Sequence, residues 1–271
     1  MRIPGVIIVY NANLRDVISN LRTYIDVLDV LYIFDNSDNG IHCKRELNEN
    51  FTNIEYISFN ENKGIAFALN YCADIAFEAG YEWLLTMDQD SSFISADCFR
   101  TYLLSIKENL TDEVAFFSPL YPEESGMDRF FTSGSVMNLQ AWQSIGKFDE
   151  KLFIDEVDGD YIYRLLAANF KLIKIKTVEL NHKLGDRCSK QIFGKTLCSD
   201  NHSGLRKYYI TRNRVYLFKR RPKMRKFYLY DSIYKFISFI LVETNRFNKI
   251  TMIIIGMFDG LFNNMGRYKN S

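Results

Sequence analysis

The first half of the chain alternates short apolar runs with segments in which apolar residues recur at helical spacing. The apolar runs have the length of buried strands. They cover residues 5–10, 30–34, 54–59 and 83–87. Two segments, 14–28 and 65–79, have the apolar spacing of a helix face, and Gly80 is placed to end the second helix. Because the strands are apolar throughout rather than alternating, we predict a mostly parallel central sheet covered on both faces.

A polar residue follows each of these four strands. These residues are Asn11, Asp35, Asn60 and Asp88. The carboxyl ends of parallel strands meet at one edge of an open α/β sheet, where ligands bind. Turn chemistry explains any one of the four residues by itself. Four in succession favour a binding rim.

The fourth strand ends at two carboxylates one residue apart, Asp88 and Asp90. Side chains at i and i+2 leave a strand on the same side, so these two can converge on one ligand. Two hard oxygen donors suit a divalent cation that also carries a phosphate. The chain has no G-x-G-x-x-G after its first strand and no G-x-x-x-x-G-K-[ST]. Both a dinucleotide-binding Rossmann domain and a P-loop are therefore disfavoured.

The second half contains further strand candidates, at residues 114–117 and 171–175, and an acidic segment at residues 155–160. Crowded like charges should raise the pKa of at least one carboxyl group there, as a general base near neutral pH requires. Gly134, flanked by small residues, fits either a close backbone approach to a ligand or a simple bulge.

Three further polar residues extend the candidate chemistry. His182 follows a predicted strand and precedes a Gly-Asp turn, so it could complete a carboxylate–imidazole metal site. Arg206 and Arg212, with Tyr209 between them, have the pattern of a basic-aromatic clamp for phosphate oxygens. A solvated helix face is the equal alternative for the two arginines.

The last fifty residues differ in character. Residues 219–226 hold six basic side chains in eight, and apolar stretches follow at 227–242 and 250–258. Neither stretch approaches the roughly 20 residues that span a bilayer. A basic cluster beside amphipathic aromatic segments favours peripheral attachment to anionic lipid. Packing on the domain or on a second subunit, as in a homodimer, is the alternative. We therefore divide the chain into a catalytic domain, 1–218, and a C-terminal helical segment, 219–271.

Composition narrows the class of protein. The 271 residues include 34 Lys and Arg against 33 Asp and Glu, so the net charge of +1 gives no indication of a nucleic-acid partner. Five cysteines without a C-x-x-C pair predict reduced thiols in the cytoplasm and no zinc site. No signal peptide is expected, because the first residues lead directly into a strand.

Several sequence blocks occur in an order that resembles family 2 glycosyltransferases, in particular the bacterial rhamnosyltransferase branch of polysaccharide assembly. The blocks lie between about residues 4 and 215. They are residues 9–11, 35–37, 60–66 with Asn70, 87–90, 153–160 with Arg164, 182–186 and 202–213. The resemblance implies a GT-A fold and transfer of a sugar from a nucleotide diphosphate, with Mg²⁺ or Mn²⁺ as cofactor.

The resemblance also implies roles for individual residues. The nucleoside contacts would be Tyr10, Asn11 and Asp35. The base and ribose pocket would be shaped by Asn62, Lys63, Gly64 and Asn70. Asp88 would lie near the ribose and diphosphate, Asp90 would bind the metal, and His182 would be a further metal or diphosphate ligand. Asp158 stands at the position of the catalytic base, and Asp155 is its rival because Val157 replaces the acidic residue that many members have before the base.

We therefore predict an inverting, single in-line displacement in which Asp158 deprotonates the acceptor. The donor that the resemblance favours is dTDP-rhamnose, with UDP-galactose, UDP-galactofuranose and UDP-glucose as alternatives. The expected acceptor is a lipid-linked saccharide of O-antigen or capsule synthesis at the cytoplasmic face of the inner membrane. Two other classes stay open: a phosphatase with Asp88 as nucleophile, and a sugar-nucleotide-binding scaffold without catalysis.

Overall fold

The computed structural model describes residues 2–39, 44–121, 130–182, 188–192, 194–244 and 246–269. The strands are β1 (Gly5–Val9), β2 (Leu31–Asp35), β3 (Ile54–Ser58), β4 (Trp83–Asp88), β5 (Ser91–Phe93), β6 (Val114–Leu120), β7 (Ser135–Asn138), β8 (Lys171–His182), β9 (Cys188–Ile192) and β10 (Lys195–Ser199). The helices are α1 (Leu14–Leu21), α2 (Lys44–Asn50), α3 (Ile65–Glu78), α4 (Ala96–Glu108), α5 (Leu139–Ser144), α6 (Val157–Ala167), α7 (Gly204–Arg220), α8 (Arg225–Val242) and α9 (Arg246–Phe262).

The first four strands form the parallel half of the main sheet, whose strand order is β3-β2-β1-β4-β7-β6-β8-β5. β1 lies between β2 and β4, and it places Ile7 opposite Ile33 and Met87. Beyond β4 the sheet is mixed: β7 is antiparallel to β4 and β6, whereas β8 runs parallel to β6. The predicted α/β class with a parallel central sheet is confirmed, and an antiparallel strand is inserted where the two halves meet.

Both faces of the parallel strands are buried, which explains their continuous apolar sequence. Every residue of β1 and β2 is buried. Ile33 points into the core on one face, together with Leu21 of α1. The next residue, Phe34, points to the opposite face and packs edge-on against Tyr71 of α3, with 5.9 Å between ring centroids.

The helices that follow β1 and β3 differ in how well the sequence predicts their ends. α3 ends at Glu78, and Gly80 follows with a φ of 81°, as predicted for its C-terminal turn. α1 ends at Leu21 instead of continuing to residue 28. The hydroxyl of Thr23 donates to the carbonyl of Asn20 over 2.7 Å and competes with the helical hydrogen-bond ladder. The chain then forms a short 3-10 turn over Ile25–Val27.

The helix that contains part of the acidic segment begins earlier than the sequence indicates, and the strand after it ends later. α6 begins at Val157, so Asp158 and Asp160 lie in its first turn rather than before the helix. Carboxylates in that position complement the positive end of the helix dipole. β8 continues from the predicted strand through His182, and its last residues pair with β5.

The chain divides into two compact units. The first comprises Met1–Phe153 and Val157–Lys183, and the second comprises Ile154–Glu156 and Leu184–Ser271. By this division, residues 184–218 group with the C-terminal helices, and α7 continues through residue 218 to Arg220. The functional boundary between residues 218 and 219 stays a prediction.

Close helix packing organises the second unit. α9 packs along α7 through two glycines, where a Cβ at Gly256 or Gly260 would lie 2.5 Å from the carbonyl oxygen of Tyr208 or Arg212. β9 and β10 form an antiparallel pair that contacts α8. The carboxylate of Glu243, directly after α8, accepts from Lys207 Nζ over 2.7 Å, from Lys249 Nζ over 2.6 Å and from the Ser199 hydroxyl.

One face of α8 exposes large apolar side chains, although Tyr228 and Phe239 of the same helix are buried. Its buried residues include Ser238, whereas Tyr230, Ile233 and Ile237 are 71%, 49% and 48% exposed. These three residues recur at three- and four-residue spacing and therefore share one face of the helix. No helix within the described residues is long and apolar enough to span a bilayer.

Candidate active site

Polar residues follow the carboxyl ends of β1, β2, β3 and β4, which are adjacent in the sheet. Hydrogen bonds join the first two of these ends. The amide of Asn11 donates to the Ser37 hydroxyl over 2.9 Å, and the amide of Asn36 donates to the Val9 carbonyl over 2.7 Å. Asn11 has a φ of 46°, and Tyr10 is 44% exposed. The polar ends of β1 and β2 are thus joined directly, and the binding of a ligand along the four strand ends stays a prediction.

Asp35 lies at the end of β2 and is fully buried. Its carboxylate accepts from the amide of Ser37 over 3.0 Å and from the hydroxyl of Tyr56. Tyr56 also lines a cavity of about 680 Å³ beside β3. The other lining residues are Lys44, Arg45, Asn48, Glu49, Ser58 and Asn60. Asp35 therefore fixes the orientation of a tyrosine in the wall of this cavity.

The segment before α3 is tied to the end of β2. The amide of Lys63 donates to Asn36 Oδ1 over 2.7 Å, and the amide of Gly64 donates to Asn62 Oδ1 over 2.9 Å. Gly64 has a φ of 88°, and a Cβ there would lie 2.6 Å from the Phe153 ring. Only glycine fits this position without rearrangement. The amide of Ile65 donates to the Phe153 carbonyl over 2.7 Å.

Two residues predicted to shape donor binding are used inside the protein instead. Asn70 is buried, and its amide group bonds the backbone of Phe148 in both directions, the indole N–H of Trp142 and the carboxylate of Glu150. These contacts occupy its side chain, so we correct its predicted role to one of anchoring residues 148–150. At Gly134, the space for a side chain is filled by Leu180, 2.8 Å from an added Cβ. This packing accounts for a glycine at position 134, and the predicted approach of its backbone to a ligand stays a prediction.

The turn Asp88-Gln89-Asp90 is braced against the end of β1. Gln89 Oε1 accepts from the amide of Tyr10 over 2.7 Å, and Gln89 Nε2 donates to the carbonyl of the same residue over 3.4 Å. The amide of Asp88 donates to the Ser133 hydroxyl over 3.2 Å. Asp90 is exposed at the outer end of the turn. The two carboxylates thus lie on a turn whose central side chain fixes it to a neighbouring strand.

His182 is the last residue of β8, and its backbone lies opposite Ser91, the residue after Asp90. The strand pairing therefore brings the backbone of the predicted imidazole ligand beside the two-carboxylate turn. The side chain of His182 lies outside the described part of the structure, as do residues 183–187. Within the described residues, no three His, Cys, Asp or Glu side chains form a group that could hold a metal ion.

Asp158 is held in the first turn of α6 by Thr132, whose hydroxyl donates to Asp158 Oδ1 over 3.0 Å. The amide of Thr132 donates to Asp158 Oδ2 over 3.4 Å. Two residues further on, Asp160 is fully buried and pairs with Arg164 Nε at 2.7 Å. The acidic segment thus contains one structural carboxylate and one half-buried carboxylate that is oriented by a hydroxyl.

Asp155, the rival base, belongs to the second unit. It forms an ion pair with Arg206, whose Nη2 lies 3.1 Å from Asp155 Oδ1. Burial raises the pKa of Asp155 above its ordinary value, and the Arg206 charge opposes this rise. Burial, together with the charge of Arg206, lowers the pKa of His202 to about 4, so its imidazole is neutral at pH 7.

Arg212 does not have the environment of a phosphate clamp. It is fully buried, it donates to Asn213 Oδ1 and to the Gly266 carbonyl, and its guanidinium lies 4.9 Å from the Tyr209 ring centroid. We correct its predicted role from ligand binding to internal packing. Arg206, whose side chain is 50% exposed, remains the arginine with access to solvent.

Two polar residues that the structure places in these networks were not among the predicted site residues. Gln89 stands between the two aspartates, where sequence patterns attach no role to it. Asn213 lies next to a predicted arginine, yet its side-chain amide contacts the backbone 59 residues earlier. In the sequence, the only indication was the position of each beside a predicted residue.

The central sheet and its flanking helices have the architecture of the GT-A fold. The chain belongs to glycosyl transferase family 2, whose sequence model matches residues 6–173. This membership excludes the phosphatase alternative. Among relatives, the dTDP-rhamnosyl transferase RfbF of Shigella flexneri is 24% identical over 291 residues, covering 96% of this chain and 95% of that protein.

Solved structures confirm the fold. The mannosyltransferase PcManGT from Pyrobaculum calidifontis, in complex with GDP-Man and Mn²⁺, superposes with a TM-score of 0.63 at 10% identity. That likeness covers 97% of this chain and 87% of the other. GalNAc-T7, solved with UDP, GalNAc and Mn²⁺, gives a TM-score of 0.52 at 14% identity and covers 71% of this chain and 44% of its own.

Proposed function

We propose that the protein transfers rhamnose from dTDP-rhamnose to a lipid-linked saccharide during assembly of a cell-surface polysaccharide such as O-antigen or capsule. The observation that carries this proposal is the relationship to a dTDP-rhamnosyl transferase along nearly the whole of both chains. Galactosyl, galactofuranosyl and glucosyl transfer from UDP-sugars are the alternatives within the same family.

The donor nucleoside would bind at the ends of β1 and β2, against Tyr10, Asn11 and Asp35. The exposed tyrosine and the buried, oriented Asp35 support this placement. Asn62, Lys63 and Gly64 would form the adjoining wall, because their backbone is fixed to Asn36 at the end of β2. Asn70 would act only indirectly, through the segment that it anchors.

A divalent cation, Mg²⁺ or Mn²⁺, fits the chemistry of the Asp88-Gln89-Asp90 turn. Two carboxylates offer the hard oxygen ligands that both ions prefer, and the diphosphate of the donor would supply more. His182, whose backbone pairs opposite Ser91, is the proposed third protein ligand. When bound, the cation would neutralise charge that develops on the departing diphosphate.

Asp158 is the proposed general base. It would accept the proton of the acceptor hydroxyl while that oxygen attacks the anomeric carbon and the bond to the diphosphate breaks, which inverts the configuration. Its hydrogen bond from Thr132 keeps one carboxylate oxygen oriented without neutralising the charge. Asp155 is the weaker candidate, because Arg206 already pairs with its carboxylate. Arg206 remains the proposed arginine for donor phosphate.

The lipid-linked acceptor would be met at the cytoplasmic face of the inner membrane. The exposed apolar face of α8 and the basic residues at 219–226 support peripheral attachment there. A homodimer through the same apolar face is the alternative, and a vesicle-binding measurement separates the two.

A thermal-shift panel of nucleotide sugars, with and without Mn²⁺, tests the donor and the class together. We expect dTDP-rhamnose to raise the Tm most, in a metal-dependent manner that Asp90→Ala abolishes. A larger shift with a UDP-sugar would replace rhamnose as the donor. No metal-dependent shift with any nucleotide sugar would contradict the proposal.

Asp158→Asn tests the base. The variant should lose at least about 1,000-fold in kcat, within the range for general-base catalysis, while the thermal shift by donor is kept. Asp155→Asn is the matched comparison, since it neutralises a carboxylate three residues away. If Asp155→Asn loses turnover and Asp158→Asn does not, the base is Asp155.

A further inference from the structure

The backbone ahead of α6 adopts an unusual conformation. Phe153, Asp155 and Glu156 have φ values of 65°, 62° and 60°, and none of them is glycine. Left-handed backbone is unfavourable for such side chains and persists only where surrounding contacts enforce it. Because the two residues after Glu156 are Val157 and Asp158, this backbone leads directly into the helical turn that carries the proposed base.

Asn213 of α7 supplies the enforcing contacts. Its side chain is fully buried, and its Nδ2 donates to the carbonyl of Ile154 over 2.8 Å and to that of Asp155 over 2.9 Å. Its Oδ1 accepts from Arg212 Nε over 3.1 Å and from Nη2 over 2.9 Å. Arg212 thereby fixes the direction of the amide, so that both N–H bonds point at consecutive carbonyls of one loop.

Arg214, the next residue but one after Arg212, holds the end of the same loop. Its Nε lies 2.6 Å from Glu156 Oε1, and its Nη2 lies 2.6 Å from Asp231 of α8. The side chain of Arg214 is only 9% exposed, so this pairing is shielded from solvent. Consecutive residues of one helix thus hold the backbone and the side chain of the left-handed loop.

We propose that Asn213 and Arg214 are positioning residues for the transfer reaction: they lock residues 154–156 in a conformation in which Asp155 and Glu156 have left-handed backbone. This conformation sets Asp155 and the backbone that leads into the Asp158 turn. Neither residue touches substrate in this scheme. The inference rests on the proposed function for its kinetic consequence, and the lock itself is a property of the chain without substrate.

Asn213→Asp is the sharpest test, because it keeps the size of the side chain and the acceptor for Arg212. It replaces the donating amide with an oxygen that repels the two loop carbonyls. We expect kcat to fall about 100-fold, the scale of a small displacement of a catalytic group, with the KM for donor about unchanged.

Hydrogen exchange measured without substrate provides the second readout. In Asn213→Asp, amides of residues 154–158 should exchange faster while those of β1 and β4 do not change. Glu243→Gln is the control: it perturbs a buried contact of the same unit away from the loop, and it should leave both kcat, measured well below the Tm, and loop exchange unchanged. If Asn213→Asp fails to fold, Arg214→Lys, which keeps the charge but loses the forked contact, should show the same exchange pattern.

Unchanged exchange at residues 154–158 would overturn the lock. Faster exchange with unaltered kcat would overturn the positioning role. If the wild-type protein transfers no sugar from any donor, the proposed function fails, and the exchange result still decides whether the lock exists.

Discussion

At the scale of single residues, Gln89 shows how a side chain between two acidic residues can fix the position of both. Its amide bonds both the N–H and the carbonyl of Tyr10, so the turn is fixed to β1. The carboxylates of Asp88 and Asp90 would repel each other in the absence of a cation. A braced turn would keep them together before the proposed cation binds, which would reduce the ordering that binding requires.

We predict that Gln89→Ala weakens Mn²⁺-dependent binding of a nucleoside diphosphate about 30-fold, since two hydrogen bonds are lost and each contributes about 1 kcal/mol. Titration calorimetry measures the affinity. Gln143→Ala, at an exposed position of α5, is the matched control and should bind normally. Unaltered affinity in Gln89→Ala would show that the brace is not needed for metal binding.

The residue scale is also where prediction from sequence fails most clearly. The pattern alone predicts that Asn11, Asp35, Asn60 and Asp88 follow strands at one edge of the sheet. Whether a polar side chain has spare hydrogen-bonding capacity does not. Asn70 and Arg212 satisfy theirs with backbone groups far away in the sequence, such as the Phe148 carbonyl 78 residues on. No local pattern records such a partner.

At the scale of elements, the Glu243 contact joins three helices of the second unit. Glu243 follows α8, Lys207 belongs to α7 and Lys249 belongs to α9. The side chain of Glu243 is fully shielded, and its contacts with the two lysines and Ser199 lower its pKa below the ordinary value. A buried carboxylate with this many donors stabilises its surroundings only while it is charged.

We predict that Glu243→Gln lowers the free energy of unfolding by about 3 kcal/mol at pH 7, as expected when one partner of a buried ion pair is removed. The folded-state pKa is depressed, so this contribution is complete above the unfolded-state pKa of about 4.3 and is lost as the pH falls through the lower folded value. Urea unfolding of both proteins between pH 7 and pH 3 measures it. If the two proteins differ in free energy of unfolding by the same amount from pH 7 to pH 3, the lowered folded-state pKa of Glu243 does not contribute to stability.

Helices and strands could be predicted from the sequence where the spacing of apolar residues matched the faces that are buried in the structure. β1 to β4 and α3 follow from the apolar pattern because they are buried on the faces that the pattern indicates. β5 has three residues, too few for any period to appear, and it exists because it pairs with β8. α8 has many apolar positions, but its sequence does not reveal that Ser238 is buried and Tyr230 is exposed.

At the scale of the whole molecule, the net charge is near zero, yet residues 219–226 form a basic segment. The exposed apolar face of α8 follows this segment. Within that segment, Lys219 donates to carbonyls at the end of α9 and Arg225 donates to the Phe218 carbonyl. These two basic groups are therefore used in part by the fold. Lys223 and Lys226 are exposed, and they are the better residues for testing contact with lipid.

We predict that the protein binds vesicles containing anionic lipid and that Lys223→Glu with Lys226→Glu weakens this binding at least about 30-fold, at about 1 kcal/mol per basic residue. Vesicle flotation measures it. Lys107→Glu with Lys176→Glu makes the same change in net charge at exposed positions of the first unit and should bind as the wild type does. No vesicle binding, together with dimers in sedimentation that Ile233→Ser dissociates, would favour the second copy instead.

The hydrogen bond from Asn213 to the loop that begins at Ile154 has a consequence for biosynthesis. A ribosome releases the strands of the first unit and the turn with Asp158 well before it releases α7, and domains fold from the N-terminus as they emerge. For that interval the nascent chain has the strand ends proposed to bind the nucleotide but lacks the side chain that holds residues 154 and 155. The ability to transfer sugar would then arise late in synthesis. A stalled or truncated chain could therefore bind the donor without transferring its sugar.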